Sequence, residues 1–172
     1  MKVLGALLVF LACGSLGVML AFNLTRRQEV LRELQTALQL LETEIAYTAT
    51  PLPEALPRVA AKTRSPTRLL FAAAHHTLLN TFGAMASEAW SDGVKALARA
   101  APLEEEDLAV LTDFGQGLGQ GDRADQVKKL ELARAQLRKL EEMAAENRVR
   151  QARVWQALGF LSGLTIILLL YW

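Results

Sequence analysis

DRADQVKKLELARAQLRKLEEMAAENRVRQARVWQALGFLSGLTIILLLYW, residues 122–172, is the stretch whose reading decides the fold. No Gly or Pro occurs from Asp122 to Leu158, so no helix breaker interrupts it. Asp122 can accept from the exposed N–H groups of a first turn, and Asp125 stands where a capping-box acid would. Apolar residues recur at Val127, Leu130, Ala133, Leu137, Leu140 and Ala144, which is one helical stripe. After Arg153 the polar face ends, and residues 154–172 carry no charge. An unbroken helix over these 51 residues would reach roughly 75 Å. One compact domain needs far less. The pattern predicts a helix that leaves a bundle and enters a membrane, with Trp155, Tyr171 and Trp172 at the two interfaces.

The N-terminus supplies the matching half. Val3 to Leu24 is uncharged over 22 residues, enough for a bilayer core that takes about 20. A cleaved signal would have a shorter apolar core. Lipidation at Cys13 is disfavoured by Phe10 and Leu11 before Ala12 and by an apolar run that continues to Phe22. Residues 1–24 are therefore expected to be a retained transmembrane helix, 154–172 a second one, and 25–153 a single domain between them. Arg26, Arg27 and Arg32 follow the first span, and Arg148, Arg150 and Arg153 precede the second. Basic flanks collect on the cytoplasmic side, so the loop is expected inside and both termini outside.

All 18 acidic residues and 18 of the 19 basic ones lie in that loop, which is neutral overall. Nucleic-acid binders show a basic excess, so that class is excluded. With one cysteine, in the first span, there is no disulfide framework and no thiolate zinc site.

Within the loop the pattern is helical throughout. From Arg26 to Thr48, the residues Leu31, Leu34, Leu38, Leu41 and Ile45 form a second stripe, free to pack against that of the final helix. Pro51 and Pro53 end this helix. A short helix is expected from about Pro53 to Lys62, with Leu56 and Val59 inward. A third is expected from Ser65 as N-cap and Pro66 as first residue to about Phe82, with Leu69, Leu70, Ala73, Leu78 and Phe82 inward. A fourth, opening near Ser87, would bury Ala89, Trp90, Val94 and Leu97. A fifth, after Pro102, would bury Leu108, Leu111, Phe114 and Leu118. The fold class is all-α: a membrane-anchored six-helix bundle whose outer helices continue into the spans.

Chemistry is sparse. Gly115, Gly117, Gly119 and Gly121 alternate before a helix, as in phosphate-cradling loops, but no Gly-Lys-Ser/Thr follows and no strand precedes. A helix end and a tight turn is expected. His75 and His76 are adjacent, so they point about 100° apart on a helix and cannot share a metal. One is read as solvated, the other as at most half-buried. Glu104, Glu105, Glu106 and Asp107 sit in the first turn of a helix and read as a solvated cap. Glu42 and Glu44 fall on different faces, as polar anchors or partner contacts. No nucleophile–base pair, cofactor site or metal site emerges, and no enzyme is expected.

Three blocks carry a resemblance: RRQEVLRELQTALQLLETEIAYTATPLPEAL (26–56), FGQGLGQGDRADQ (114–126) and LGFLSGL (158–164). In combination they resemble the stage III sporulation protein AB family of endospore-forming bacteria. The likeness is nearly end to end and loosest between Thr63 and Leu103, where Ala89-Trp90 is the main match. Thr48 stands where the family pattern leads one to expect glycine. The resemblance implies a component of the channel-like machinery joining mother cell and forespore during engulfment, in the mother-cell membrane facing the forespore. The family is similar to the F-type inner-membrane platform protein of type II secretion and type IV pilus systems, which has a duplicated bundle and more spans.

Implied partners are a cytoplasmic ATPase resembling stage III sporulation protein AA, other channel membrane proteins and the lipid bilayer. Polar residues near the turns, Glu44, Glu54, Asp122 and Arg123, are the candidate docking contacts. The competing reading is a motor-free membrane scaffold or signalling module in which the stripes form a coiled coil between copies, a homo-oligomer. A solute pathway is disfavoured because no charge lies within either apolar run, Val3 to Leu24 or 154–172.

Overall fold

The computed structural model describes the backbone of residues 25–119 and 121–171, and side chains as far as residue 147. The described residues form six helices and no strand. The first, α1, is helical over 25–46. There follow α2 Leu52–Lys62, α3 Thr67–Asn80, α4 Ala86–Ala100, α5 Glu105–Gln116 and α6 Arg123–Tyr171. α6 is unbroken over 49 residues, about 74 Å at 1.5 Å per residue.

The two predicted stripes are the spine of the bundle. Leu31, Leu34, Leu38 and Leu41 on α1 are fully buried, and Leu130 and Leu137 on α6 equally so. Each such leucine adds about 1.5–3 kcal/mol of transfer free energy. Polar pairs flank the seam and set its direction. Arg134 Nη1 donates to Glu42 Oε2 at 2.7 Å, and Nη2 to Gln39 Oε1 at 3.1 Å. Seven residues along α6, Glu141 accepts from Arg32 Nη2 at 2.7 Å and from Gln35 Nε2 at 3.0 Å. Seven residues forward on α6 are thus seven back on α1, so the helices run antiparallel in step.

Short turns alternate the remaining helices between two poles. The foot holds the start of α1, the turn into α3 and the start of α5. Arg26 and Glu29 share a cleft there with Arg64 and Thr67, and Arg27 meets Glu104 and Asp107. The tip holds the α1–α2, α3–α4 and α5–α6 turns. Between them, Trp90 is the hinge of the α3–α4–α5 side. Its indole packs edge-on against Phe71 (5.7 Å) and Phe114 (5.0 Å), and its Nε1–H donates to Leu111 O at 2.8 Å. Two glycines permit this closeness. A Cβ on Gly115 would stand 2.3 Å from Trp90 Cδ1, and one on Gly93 2.4 Å from Leu70 O.

Several expectations need correction. α3 begins at Thr67, with Pro66 at the N-cap position and no side-chain cap, instead of at Pro66 under a Ser65 cap. The reason is that Arg68 N–H already bonds Arg64 O and Leu69 N–H bonds Pro66 O, so the coil is set by backbone alone. The same helix stops at Asn80, which leaves Phe82 in the turn and wholly exposed instead of inward. Leu69 is also exposed, because the inner face of α3 runs through Thr67, Leu70, Phe71 and Ala74. The glycine-rich run is the expected helix end and turn, with Gly119 and Gly121 at positive φ.

The predicted first span, 1–24, lies outside the described residues. Of the second, 154–172, the backbone is helical to Tyr171 and the side chains lie outside the description. Among the described residues no helix is long and apolar enough to cross a membrane.

Candidate functional site

The most tightly built polar site is at the foot. Arg27 is buried one turn before the Leu31 stripe begins. Its Nε–H donates to Asp107 Oδ2 at 2.8 Å and its Nη2–H to Asp107 Oδ1 at 2.9 Å, a two-point fork. Nη1 reaches Glu104 Oε1 at 2.6 Å. Asp107 Oδ2 also accepts from Glu104 N–H at 2.9 Å, so one carboxylate closes the first turn of α5 and neutralises the arginine. The hydrogen bonds to Asp107, with the charges of Asp107, Glu104 and Glu106, raise the Arg27 pKa although burial works against it.

The acidic run at 104–107 was expected to be a solvated cap. Glu104, Glu105 and Glu106 are exposed, but Asp107 is wholly buried. The physical reason is its phase: residues 107, 111 and 114 fall on one face of α5, so the acid shares the inner stripe.

The tip holds the predicted docking contacts. Glu44 is turned inward, its side chain 12 % exposed. It accepts from Thr50 Oγ1 at 3.0 Å and from Arg58 Nη1 at 3.2 Å, and lies 3.8 Å from Lys62 Nζ. It is a brace between α1 and α2. Glu54 is exposed and 3.9 Å from Arg58, so Glu44 and Glu54 meet through one guanidinium. Asp122 and Arg123 are both exposed at the start of α6. Asp122 Oδ1 accepts from Asp125 N–H at 2.8 Å, which makes it the expected N-cap. Glu42, the other anchor candidate, holds Arg134.

What the sequence reading passed over at the tip is apolar. In the α3–α4 turn, Leu79 is 64 % exposed, Phe82 107 % and Met85 66 %, and Tyr47 in the α1–α2 turn is 85 % exposed. One proximal signal existed: Gly83, one residue after Phe82 and at positive φ. It marks a turn, where an aromatic side chain has nothing to pack against.

His76 is exposed and His75 half-buried, as expected. Among the described residues no group of three or more His, Cys, Asp or Glu could hold a metal ion.

Comparison with known proteins agrees along nearly the whole chain. The family model described as stage III sporulation protein AB matches residues 2–171. Stage III sporulation protein AB of Bacillus subtilis (strain 168) is 35% identical over 170 residues, covering 99% of each chain. A solved structure of a stage III sporulation protein AB is similar, with a TM-score of 0.67 at 33% identity. That match covers 73% of this chain and 98% of the other.

Proposed function

The chain belongs to the stage III sporulation protein AB family, and from that premise we propose that it is a non-enzymatic membrane platform. Its bundle docks a cytoplasmic ATPase, of the kind resembling stage III sporulation protein AA, at the tip. At the foot both chain ends leave for the membrane of the mother cell facing the forespore, within a channel-like, secretion-related complex. Residues 1–24 and 154–172 are its two spans, and its other contacts are the channel's membrane proteins.

One observation carries this reading. The antiparallel step between α1 and α6 sets residues 25–28 level with residue 148 of α6, seven beyond Glu141. The described chain therefore enters α1 and carries α6 onward at the same end of the bundle, the end that the two uncharged segments of the sequence adjoin. A helix that continues without a break from the bundle to Tyr171 is a stiff connection, suited to pass movement from a docked motor toward the membrane. The tip, with its exposed apolar turn residues and the exposed Glu54, Asp122 and Arg123, is the surface left to a soluble partner.

The motor-free scaffold would use the two stripes between copies. Here they are consumed within one chain, Leu31 to Leu41 against Leu130 and Leu137. A test is affinity capture of the tagged full-length protein from sporulating cells in mild detergent. The platform reading expects the ATPase to co-purify and to be lost when 25–153 is deleted. Capture without the ATPase, even after cross-linking, supports the scaffold.

A further inference from the structure

The foot carries a second polar feature that the ion-pair knot does not use. A cleft opens between the first turns of α1 and the start of α3, lined among others by Arg26, Arg32, Arg64, Ser65 and Thr67. Glu29 and Glu33 also line it, and Glu33 Oε1 is occupied by Arg64 N–H at 3.0 Å. Arg32 is held by Glu141, whereas Arg26 and Arg64 are exposed and have no ion-pair partner among the described residues.

The start of α3 adds to the two arginines, which share the cleft with the carboxylates of Glu29 and Glu33. It has no side-chain cap and no acid in its first turn; Arg68 N–H and Leu69 N–H are taken by Arg64 O and Pro66 O, so what it offers an external anion is the positive end of its dipole. Thr67, at its first position, lines the cleft, is fully buried, and its Oγ1 has no hydrogen-bond partner. A buried hydroxyl without a partner is costly, and a ligand oxygen at the cleft floor would remove that cost.

We propose that this cleft binds the phosphate of an anionic lipid headgroup, with Arg26 and Arg64 as its clamps and the start of α3 as its floor. The argument for a lipid source is position. The cleft lies at the foot, level with the first described residues of α1, where the uncharged segments of the sequence begin. This rests on the membrane reading given above. Two unpaired guanidiniums suit phosphate oxygens, and basic residues near a bilayer surface are drawn to anionic lipids. The site would fix the rotation of the bundle relative to the bilayer, which two spans alone leave free.

The experiment uses the full chain in non-ionic detergent, with native mass spectrometry of bound lipid. Phosphatidylglycerol is added against phosphatidylcholine, for the wild type and for Arg26→Gln, Arg64→Gln and Lys128→Gln. The expected result is preferential retention of phosphatidylglycerol. Each cleft variant should weaken it about fivefold, the change expected of one basic contact to an anionic surface. The tip variant Lys128→Gln should leave it unchanged. Equal retention of the two lipids, or indifference to both arginines, overturns the proposal. Inorganic phosphate that binds with the same arginine dependence, in the absence of a headgroup preference, overturns the lipid source. Insertion into neutral phosphatidylcholine vesicles is scored in parallel. Loss of insertion refutes the anchor, while insertion without headgroup preference refutes this inference alone.

Discussion

Arg27 and Asp107, 80 residues apart in sequence, meet in a buried two-point ion pair that ties the start of α5 to the start of α1. The contact fixes the foot of the bundle, at the end where the described part of α1 begins. Removing the charge of Asp107 leaves the buried guanidinium with only the exposed Glu104 as counter-charge. Asp107→Asn is expected to destabilise the protein by about 3–5 kcal/mol. The double change Arg27→Met with Asp107→Leu should recover most of that loss, because it leaves no charge to desolvate. Chemical denaturation of the detergent-solubilised chain distinguishes them; equal loss in both variants would contradict a charge-based account.

Glu141 makes stability depend on acidity. Burial pushes its carboxyl pKa up, but hydrogen bonds from Gln35 and Arg32, with the charge of Arg32, hold it below the ordinary value. A depressed carboxylate contributes stability above its unfolded pKa of about 4.3. That contribution is lost as pH falls through the lower folded value. The wild type should therefore lose stability more steeply below about pH 4.3 than Glu141→Gln. Thermal melts between neutral pH and about pH 3 read the difference, and parallel curves would refute it.

Ala49 occupies a left-handed conformation, φ 51°, where the chain turns from α1 into α2 and Thr50 N–H bonds Glu44 O. A residue with a Cβ is strained there by about 1 kcal/mol. Ala49→Gly should raise the unfolding free energy by roughly that amount, less the extra freedom glycine gives the unfolded chain. A lower midpoint would show that the strain is absent.

Gly115→Ala puts a methyl into the Trp90 ring. The expected cost is about 1–3 kcal/mol, with a shift in tryptophan emission as the indole moves off Leu111 O. An unchanged melt and spectrum would mean that the α4–α5 contact is looser than 2.3 Å implies.

Much of this fold was legible because the stripes are long and regular. Leu31 to Ile45 and Leu130 to Ala144 recur at helical spacing over several turns, and all that were read as core on α1 are buried. Prolines and the glycine run marked the turns. Legibility failed where a side chain's fate depends on one boundary. Two residues of overrun on α3 placed Phe82 inside, whereas its helix ends at Asn80. The buried pair was missed for a different reason. Arg27 extends the phase of Leu31, Leu34 and Leu38, and Asp107 that of Leu111, Phe114 and Leu118. A charge in phase with an apolar stripe is the signal, but the partner was 80 residues away and its nearest neighbours were three exposed glutamates.

The candidate docking contacts divide by exposure. Glu44 is a brace whose replacement should loosen α2, so its loss would confuse binding with folding. Glu54, Arg123 and Phe82 are surface residues whose replacement should leave stability within about 0.5 kcal/mol. Charge reversal at Glu54 and Arg123, with Phe82→Ser, should weaken ATPase capture while melts stay unchanged. Undiminished capture would remove these residues from the interface.

Site-specific photo-cross-linking in sporulating cells tests the platform account most directly. A photoreactive residue at position 82, on the tip, is compared with one at position 99, near the end of α4 at the foot. The account predicts a cross-link from 82, and not from 99, to the ATPase resembling stage III sporulation protein AA, identified by mass spectrometry. Cross-links from 82 to further copies of this chain, with none to the ATPase from either position, would contradict it.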